Sequence, residues 1–279
     1  MPRSPSPRGA VTVLLFLTLA SCQPPPPAST TPEAAPAPPG AASVGNPPAP
    51  GFDAAGSDVR AAEIADRVME RLGGRAAWDG TRYLTWRFFG GRRHVWDKGT
   101  GDLRYEDGEL TVLTNIHDRG GRAWQGAVAV TDPDALVALL DKAYHSWIND
   151  SYWLVMPYKL KDTGGTLKYR GEEMTEDGLP AHVLELTFTD VGVTPQNRYR
   201  VWIDVHEGLV RQWAFYADAA DEEPRFTLPW AGWQPYGRIW LNDDFGQRRH
   251  TELAVYDELP GSVFTRPEPV VLPRGGSKD

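Results

Sequence analysis

Three groups of residues in this sequence have the types and spacing to do chemistry. His145 and Ser146 stand shortly before Asp150 and Ser151, which puts an imidazole, two hydroxyls and a carboxylate in one stretch, the set used in acyl transfer. No Gly-x-Ser-x-Gly elbow surrounds either serine, and capping of a helix end by Asn149, Asp150 and Ser151 would use the same residues. The second group is His94 and His117, with Asp102, Asp107 and Asp118 close by in sequence. Such a cluster could hold a cation, yet none of the six histidines (94, 117, 145, 182, 206 and 250) has a partner at helical metal-pair spacing. Polar strand surface accounts for the same residues. Neither group designates catalytic or metal-binding residues, and a hydrolase centred on His145 stays open as an alternative. The third is Cys22, the only cysteine of the chain.

Cys22 ends a segment with a recognisable charge and hydropathy pattern. Arg3 and Arg8 precede an apolar run from Ala10 to Ala20, the layout of a secretory signal. That run is too short for the roughly 20 residues a spanning helix needs. The tetrad Leu19-Ala20-Ser21-Cys22 resembles the lipobox of bacterial lipoproteins. The resemblance implies that residues 1–21 are removed and that Cys22 becomes an acylated N-terminus. Two or more acyl chains anchor firmly, at about 0.8 kcal/mol per buried methylene. By the same family rule Gln23, in place of an aspartate, implies the outer membrane. No cofactor is expected beyond this covalent lipid.

Composition narrows the partners. The formal charge is −8, and removal of Arg3 and Arg8 with no acid takes it to −10. With no Lys/Arg run, the chain is a poor nucleic-acid binder and a poor electrostatic membrane binder, so attachment falls to the acyl chains. A monomer is expected. Residues 22–52 are rich in Pro and Ala and hold almost nothing that could build a core before Phe52, which predicts an extended tether. One domain is expected over 53–270 and a disordered tail over 271–279.

The elements that must position these residues follow from periodicity. Ser57 to Leu72 reads as a helix with Val59, Ile64, Val68 and Leu72 near one face and Gly73-Gly74 as its stop. Alternation then predicts strands at 83–89, 94–96, 103–105 and 110–113, with Asp107-Gly108 as a hairpin signal. Asp132-Pro133 opens a second helix through Trp147, broken at Asn149-Asp150-Ser151 and followed by the apolar run Tyr152 to Met156. Further strands are predicted at 167–170, 183–189, 198–205, 209–216, 238–241 and 253–256. Short turns between them favour an antiparallel meander. The expected class is α+β: a large curved antiparallel sheet of about ten strands, with an N-terminal helix and a central helical insertion on its inner face.

This order resembles the unclosed half-barrel of the periplasmic lipoprotein carrier LolA, the outer-membrane acceptor LolB and their relatives. Four stretches resemble bacterial lipoproteins of unassigned function: Trp78 to Tyr83, Arg93 to Lys98, Asn149 to Trp153 and Asp221 to Phe226. The resemblance implies a non-enzymatic domain that binds an acyl chain or a lipidated partner at the periplasmic face of the outer membrane. The residues support a place for such a ligand. Eleven tryptophans suit half-wet cavities and core edges. A curled sheet carrying Trp86, Phe88, Leu186, Phe188, Trp213 and Phe215, lidded by Trp153, Leu154 and Met156, could enclose an apolar pocket. The same side chains could instead fill a core, leaving a structural or envelope-stress interaction protein that works through its surface and has no cavity. A register error of one residue exchanges the two faces.

Overall fold

The computed structural model describes residues 45–273; the expected signal segment, Cys22, most of the expected tether and residues 274–279 lie outside them. Helices α1 (Val59–Arg71) and α2 (Arg75–Gly80) lead into β1 (Tyr83–Arg87), β2 (Arg93–Asp97), β3 (Asp102–Asp107), β4 (Leu110–Asn115), β5 (Gly121–Gln125) and β6 (Val128–Ala129). Helix α3 (Pro133–Val155) is followed by β7 (Gly165–Met174), β8 (Pro180–Phe188), β9 (Arg198–Asp204), β10 (Val210–Tyr216) and β11 (Phe226–Pro229). Then come β12 (Trp233–Tyr236), β13 (Ile239–Asn242), β14 (Thr251–Tyr256) and the single turn α4 (Ser262–Thr265).

The strands form three antiparallel sheets, ordered β14-β1-β2-β3-β4-β5-β6, β11-β10-β9-β8-β7 and β12-β13. Neither large sheet closes on itself, so the α+β class with an unclosed antiparallel sheet holds. The meander divides at α3, because a helix of 23 residues separates β6 from β7 and no hairpin can span it. One apolar core joins the two large sheets. It unites Leu84, Trp86, Trp96 and Leu103 of the first with Leu167, Leu184, Leu186, Val201, Ile203 and Trp213 of the second.

Helix α1 buries Ile64 and Val68 in this core, together with Leu72 just past its end, but leaves Val59 63% exposed. Its N-cap is Asp58 rather than Ser57, and the Asp58 carboxylate caps nothing in the helix. It accepts the Tyr169 N–H at 2.9 Å, while the Ser57 hydroxyl accepts the Leu167 N–H. The helix start is thereby stitched to β7. Gly73 stops the helix at φ 112°, and a Cβ there would lie 2.4 Å from the Arg238 carbonyl oxygen. Only glycine fits both requirements.

Helix α3 begins as expected, with the Asp132 side chain accepting the Ala135 N–H and Pro133 in the first turn. The break expected at Asn149-Asp150-Ser151 does not occur. The helix runs on to Val155 because Asp150, a poor helix former alone, finds buried partners on β2 and the turn before it. Its first half lays Leu136, Leu139 and Leu140 over Tyr105, Leu110, Val112 and Ala123 of the seven-stranded sheet. Its last turns carry Trp153, Leu154 and Val155 into the main core.

Strand β1 ends at Arg87, two residues short of the expected limit. Phe88 to Gly90 form a tight turn with Phe89 at φ 48°, closed by the Phe88 N–H donating to Arg92 at 2.8 Å. Phe88 therefore leaves the alternation that would have aligned it with Trp86.

The packed domain is also longer than composition suggests. Asn46 donates to Asp66, Lys161 donates to the Asn46 carbonyl, and Ala49 N–H donates to Lys161. Residues 46–52 of the expected tether thus contact the domain through the Asn46 side chain and through backbone groups, and the backbone groups carry no compositional signal. At the other end, the fully buried Arg104 donates to the carbonyls of Val263, Arg266, Pro267 and Glu268. Tyr256 hydroxyl donates to Pro273, within the expected tail.

Candidate functional site

A cleft of about 680 Å³ lies between the C-terminal half of α3, the loop after β8 and the inner face of β8 to β11. Helix α3 supplies Tyr144, Trp147, Ile148, Tyr152 and Trp153; the sheet supplies Phe188, Tyr199, Trp213, Phe215 and Phe226. Strand register explains the floor. Phe215 pairs with Tyr199 on one side and with Phe226 on the other, so three rings stand abreast. Tyr199 stacks on Trp213 at 5.3 Å and 10°, and Trp153 meets Trp213 edge-on at 4.8 Å. Offset and edge-to-face contacts of this kind add to the area buried and fix the shape of the floor.

Of the nine residues expected to line a pocket, Trp153, Phe188, Trp213 and Phe215 do so. The other five do not. Leu154, Met156 and Leu186 are fully buried in the main core. Trp86 is buried against His94, with ring centroids 4.7 Å apart, and Phe88 packs on Phe89 and His250. Alternation marks the strand residues as inward and the apolar run marks Leu154 and Met156 as buried, and inward in this fold means either core or cleft. Tyr144, Trp147, Tyr152, Tyr199 and Phe226 were absent from the expected set although helical spacing and alternation mark several of them. What selects them is the crossing of α3 over the sheet.

The cleft wall contains polar atoms without protein partners. Trp147 Nε1, Tyr152 Oη and Trp213 Nε1 are buried and make no hydrogen bond among the described residues. Each such group costs about 1–3 kcal/mol. Burial pushes the Tyr152 phenol well up and the Tyr199 phenol to about 12, so both are neutral donors at physiological pH.

Helix α3 is held in place from behind. Arg92 donates two hydrogen bonds to Asp150, at 2.5 and 2.6 Å, and His94 Nε2 lies 2.7 Å from the same carboxylate. His94 and Asp150 are both 0% exposed. Burial raises the Asp150 pKa, but the hydrogen bonds from His94 and Arg92 outweigh it and hold the carboxyl below its usual range. Burial also lowers the His94 pKa. The group is therefore an Arg–carboxylate pair with a neutral imidazole donating to it. It fixes the residue between Trp147 and Tyr152, and so the cleft wall.

The other candidate residues are placed as follows. His145 is exposed and pairs with the Asp141 carbonyl of its own helix, and Asp150 points instead to His94, so no triad forms around His145. Asp107 pairs with Lys142, and Asp102 accepts from Asn115. Among the described residues no three His, Cys, Asp or Glu side chains come close enough to hold a metal ion.

His250 sits among Phe88, Phe89 and Phe245, 2% exposed, with neither ring nitrogen bonded among the described residues. Burial lowers its pKa from 6.5 to about 3. Only the unfolded chain takes up a proton between these values. The stability due to neutral His250 is therefore complete above pH 6.5 and is lost as pH falls from 6.5 toward 3. His250→Leu is expected to flatten the fall in melting temperature between pH 7 and pH 4, measured by thermal unfolding at each pH. An unchanged slope would show that this imidazole is not held neutral.

No family model matches the chain, and no curated protein does. Among solved structures, a DUF1329 family protein from Desulfovibrio piger is 13% identical, over 73% of this chain and 96% of that one, at a TM-score of 0.39. A domain titled as an outer membrane lipoprotein-sorting protein, from Vibrio parahaemolyticus, is 13% identical over 73% and 95%, at 0.37. A LolA superfamily protein from Nitrosomonas europaea is 12% identical over 72% and 97%, at 0.31. Likenesses at this level carry no functional inference. The fold class stands on the sheet topology itself: an α+β domain with unclosed antiparallel sheets and an aromatic cleft under a long helix. Among the described residues no helix is long and apolar enough to cross a membrane.

Proposed function

We propose that this domain binds a hydrophobic ligand, an acyl chain or the lipid of a lipidated partner, in the cleft beneath α3, and catalyses no reaction on it. The observation that carries this reading is the cleft itself. Its volume lies within the range of about 300–1,000 Å³ for ligand sites, and its lining is mainly aromatic with a few polar groups. The lipobox ending in Cys22 completes the proposal: acyl chains on Cys22 tether the domain in the cell envelope, at the outer membrane. Replacement of Cys22 should then yield a folded protein that no longer partitions with membranes. The rival without a cavity is disfavoured by the cleft, and the hydrolase by the separation of His145 from Asp150.

Native mass spectrometry of the Cys22→Ser protein, with uptake of a fluorescent fatty acid, tests the cleft. Bound lipid or saturable uptake is expected. Ala217, a small residue in the lining, offers a way to fill the space without emptying the core. Ala217→Trp should abolish uptake while leaving the melting temperature within a few degrees. A ligand-free protein that takes up no probe would sink the proposal.

A further inference from the structure

The cleft lining holds only three charged side chains, Lys159, Asp162 and Arg225. Lys159 and Asp162 pair with each other. Arg225 is exposed and forms no ion pair or side-chain hydrogen bond among the described residues. The net charge of the lining is therefore one positive charge, in a chain whose total is −8. Position adds to sign. The Arg225 N–H donates to the Phe215 carbonyl at 2.7 Å, so the residue is fixed beside the ring row and next to Phe226. Four acids precede it, Asp218, Asp221, Glu222 and Glu223, and among the described residues none of them forms an ion pair with Arg225. Asp218 and Asp221 accept backbone N–H groups of their own turn, from Ala220 and Asp218.

A site with an aromatic floor and one guanidinium on its rim that forms no ion pair among the described residues is complementary to one class of molecule. We infer that the cleft selects an anionic single-chain amphiphile, whose chain lies on the aromatic floor and whose carboxylate or phosphate meets Arg225. The inference rests on the cleft being a ligand site and adds the chemistry of the head group. A guanidinium offers a planar pair of N–H donors that fits either oxyanion. Because Arg225 is exposed, water screens the contact, and its effect is that of a surface ion pair, about five-fold in affinity.

The test is displacement of a fluorescent fatty acid from the Cys22→Ser protein by palmitate, hexadecyl phosphate and hexadecanol, which share a chain and differ at the head. The wild-type domain should bind the two anions about five-fold more tightly than the alcohol. The ranking of palmitate against hexadecyl phosphate tells carboxylate from phosphate. Arg225→Gln should bring the anion-to-alcohol ratio close to one, and Arg225→Lys should restore most of it. Tight binding of all three with the same ratio in wild type and Arg225→Gln overturns this inference and leaves the cleft reading standing. Binding of none of them overturns the cleft reading itself.

Discussion

Asp150→Ala is expected to lower the unfolding free energy by about 2–4 kcal/mol and to abolish ligand uptake with it. Removing one partner of a fully buried ion pair costs about 3–5 kcal/mol, because the other charge stays buried and unpaired. Here Asp150 and His94 are 0% exposed, whereas Arg92 is 32% exposed and can turn partly to water, which places the expected cost below that range. Four hydrogen bonds disappear, two from Arg92 and one each from His94 and Asn149, and His94 is left buried with both ring nitrogens unpartnered, since Nδ1 has none already. The loss is local in origin but not in effect, because Trp147, Tyr152 and Trp153 of the cleft wall ride on the same two turns. Urea unfolding of wild type, Asp150→Ala, Arg92→Leu and the double variant separates the terms. Strong non-additivity is expected. A single variant within about 0.5 kcal/mol of wild type, the ordinary range of a surface change, would show that the group does not hold α3.

Arg104→Ala is expected to free the C-terminal segment beyond β14 at a cost of about 3–5 kcal/mol. This guanidinium is fully buried, is paired with Glu106 at 2.5 Å and donates to four carbonyls between Val263 and Glu268. Alanine leaves those carbonyls unsatisfied and opens a cavity where the side chain lay. Lysine carries the charge but cannot reproduce a planar five-donor fork, so Arg104→Lys should recover only part of the loss. Limited proteolysis with mass analysis gives the readout: cleavage after β14 should quicken in Arg104→Ala, with the strands before it protected. Equal cleavage in variant and wild type would assign the segment's hold to other contacts, such as the stacking of Phe264 on Tyr83.

What the sequence reveals and what it hides divide along a physical line. Alternation and turn chemistry locate the antiparallel strands and the Gly73 stop, because both depend on neighbours within a few residues. Asp150 escaped that logic. As one of three polar residues in a row it signals a helix break, and only Arg92 and His94, brought up by the β2 hairpin, turn it into an anchor. Phe88 escaped for the converse reason: the pull of the Gly90-Gly91 turn ends the alternation one residue before it. Cross-strand register hides charge in the same way. Arg170, Arg198 and Arg200 are scattered in sequence, yet the pairing of β7, β8 and β9 gathers all three around Glu185. The cleft was half legible: its rings follow from the inward positions of the strands, while its walls depend on where α3 crosses them.

The pairing of β1 with β14 has a consequence in time. Tyr83 sits opposite Tyr256 and Leu84 opposite Val255, so the first strand of the domain waits for the last. The five-stranded sheet and its helix are built entirely from the chain between them. Contacts so distant in sequence slow folding. Until the last strand arrives, β1 presents an unpaired edge to which another chain could add. The domain thus completes its larger sheet only once the whole of it has been delivered, and the Arg104 contacts that follow fasten the strand that closes it.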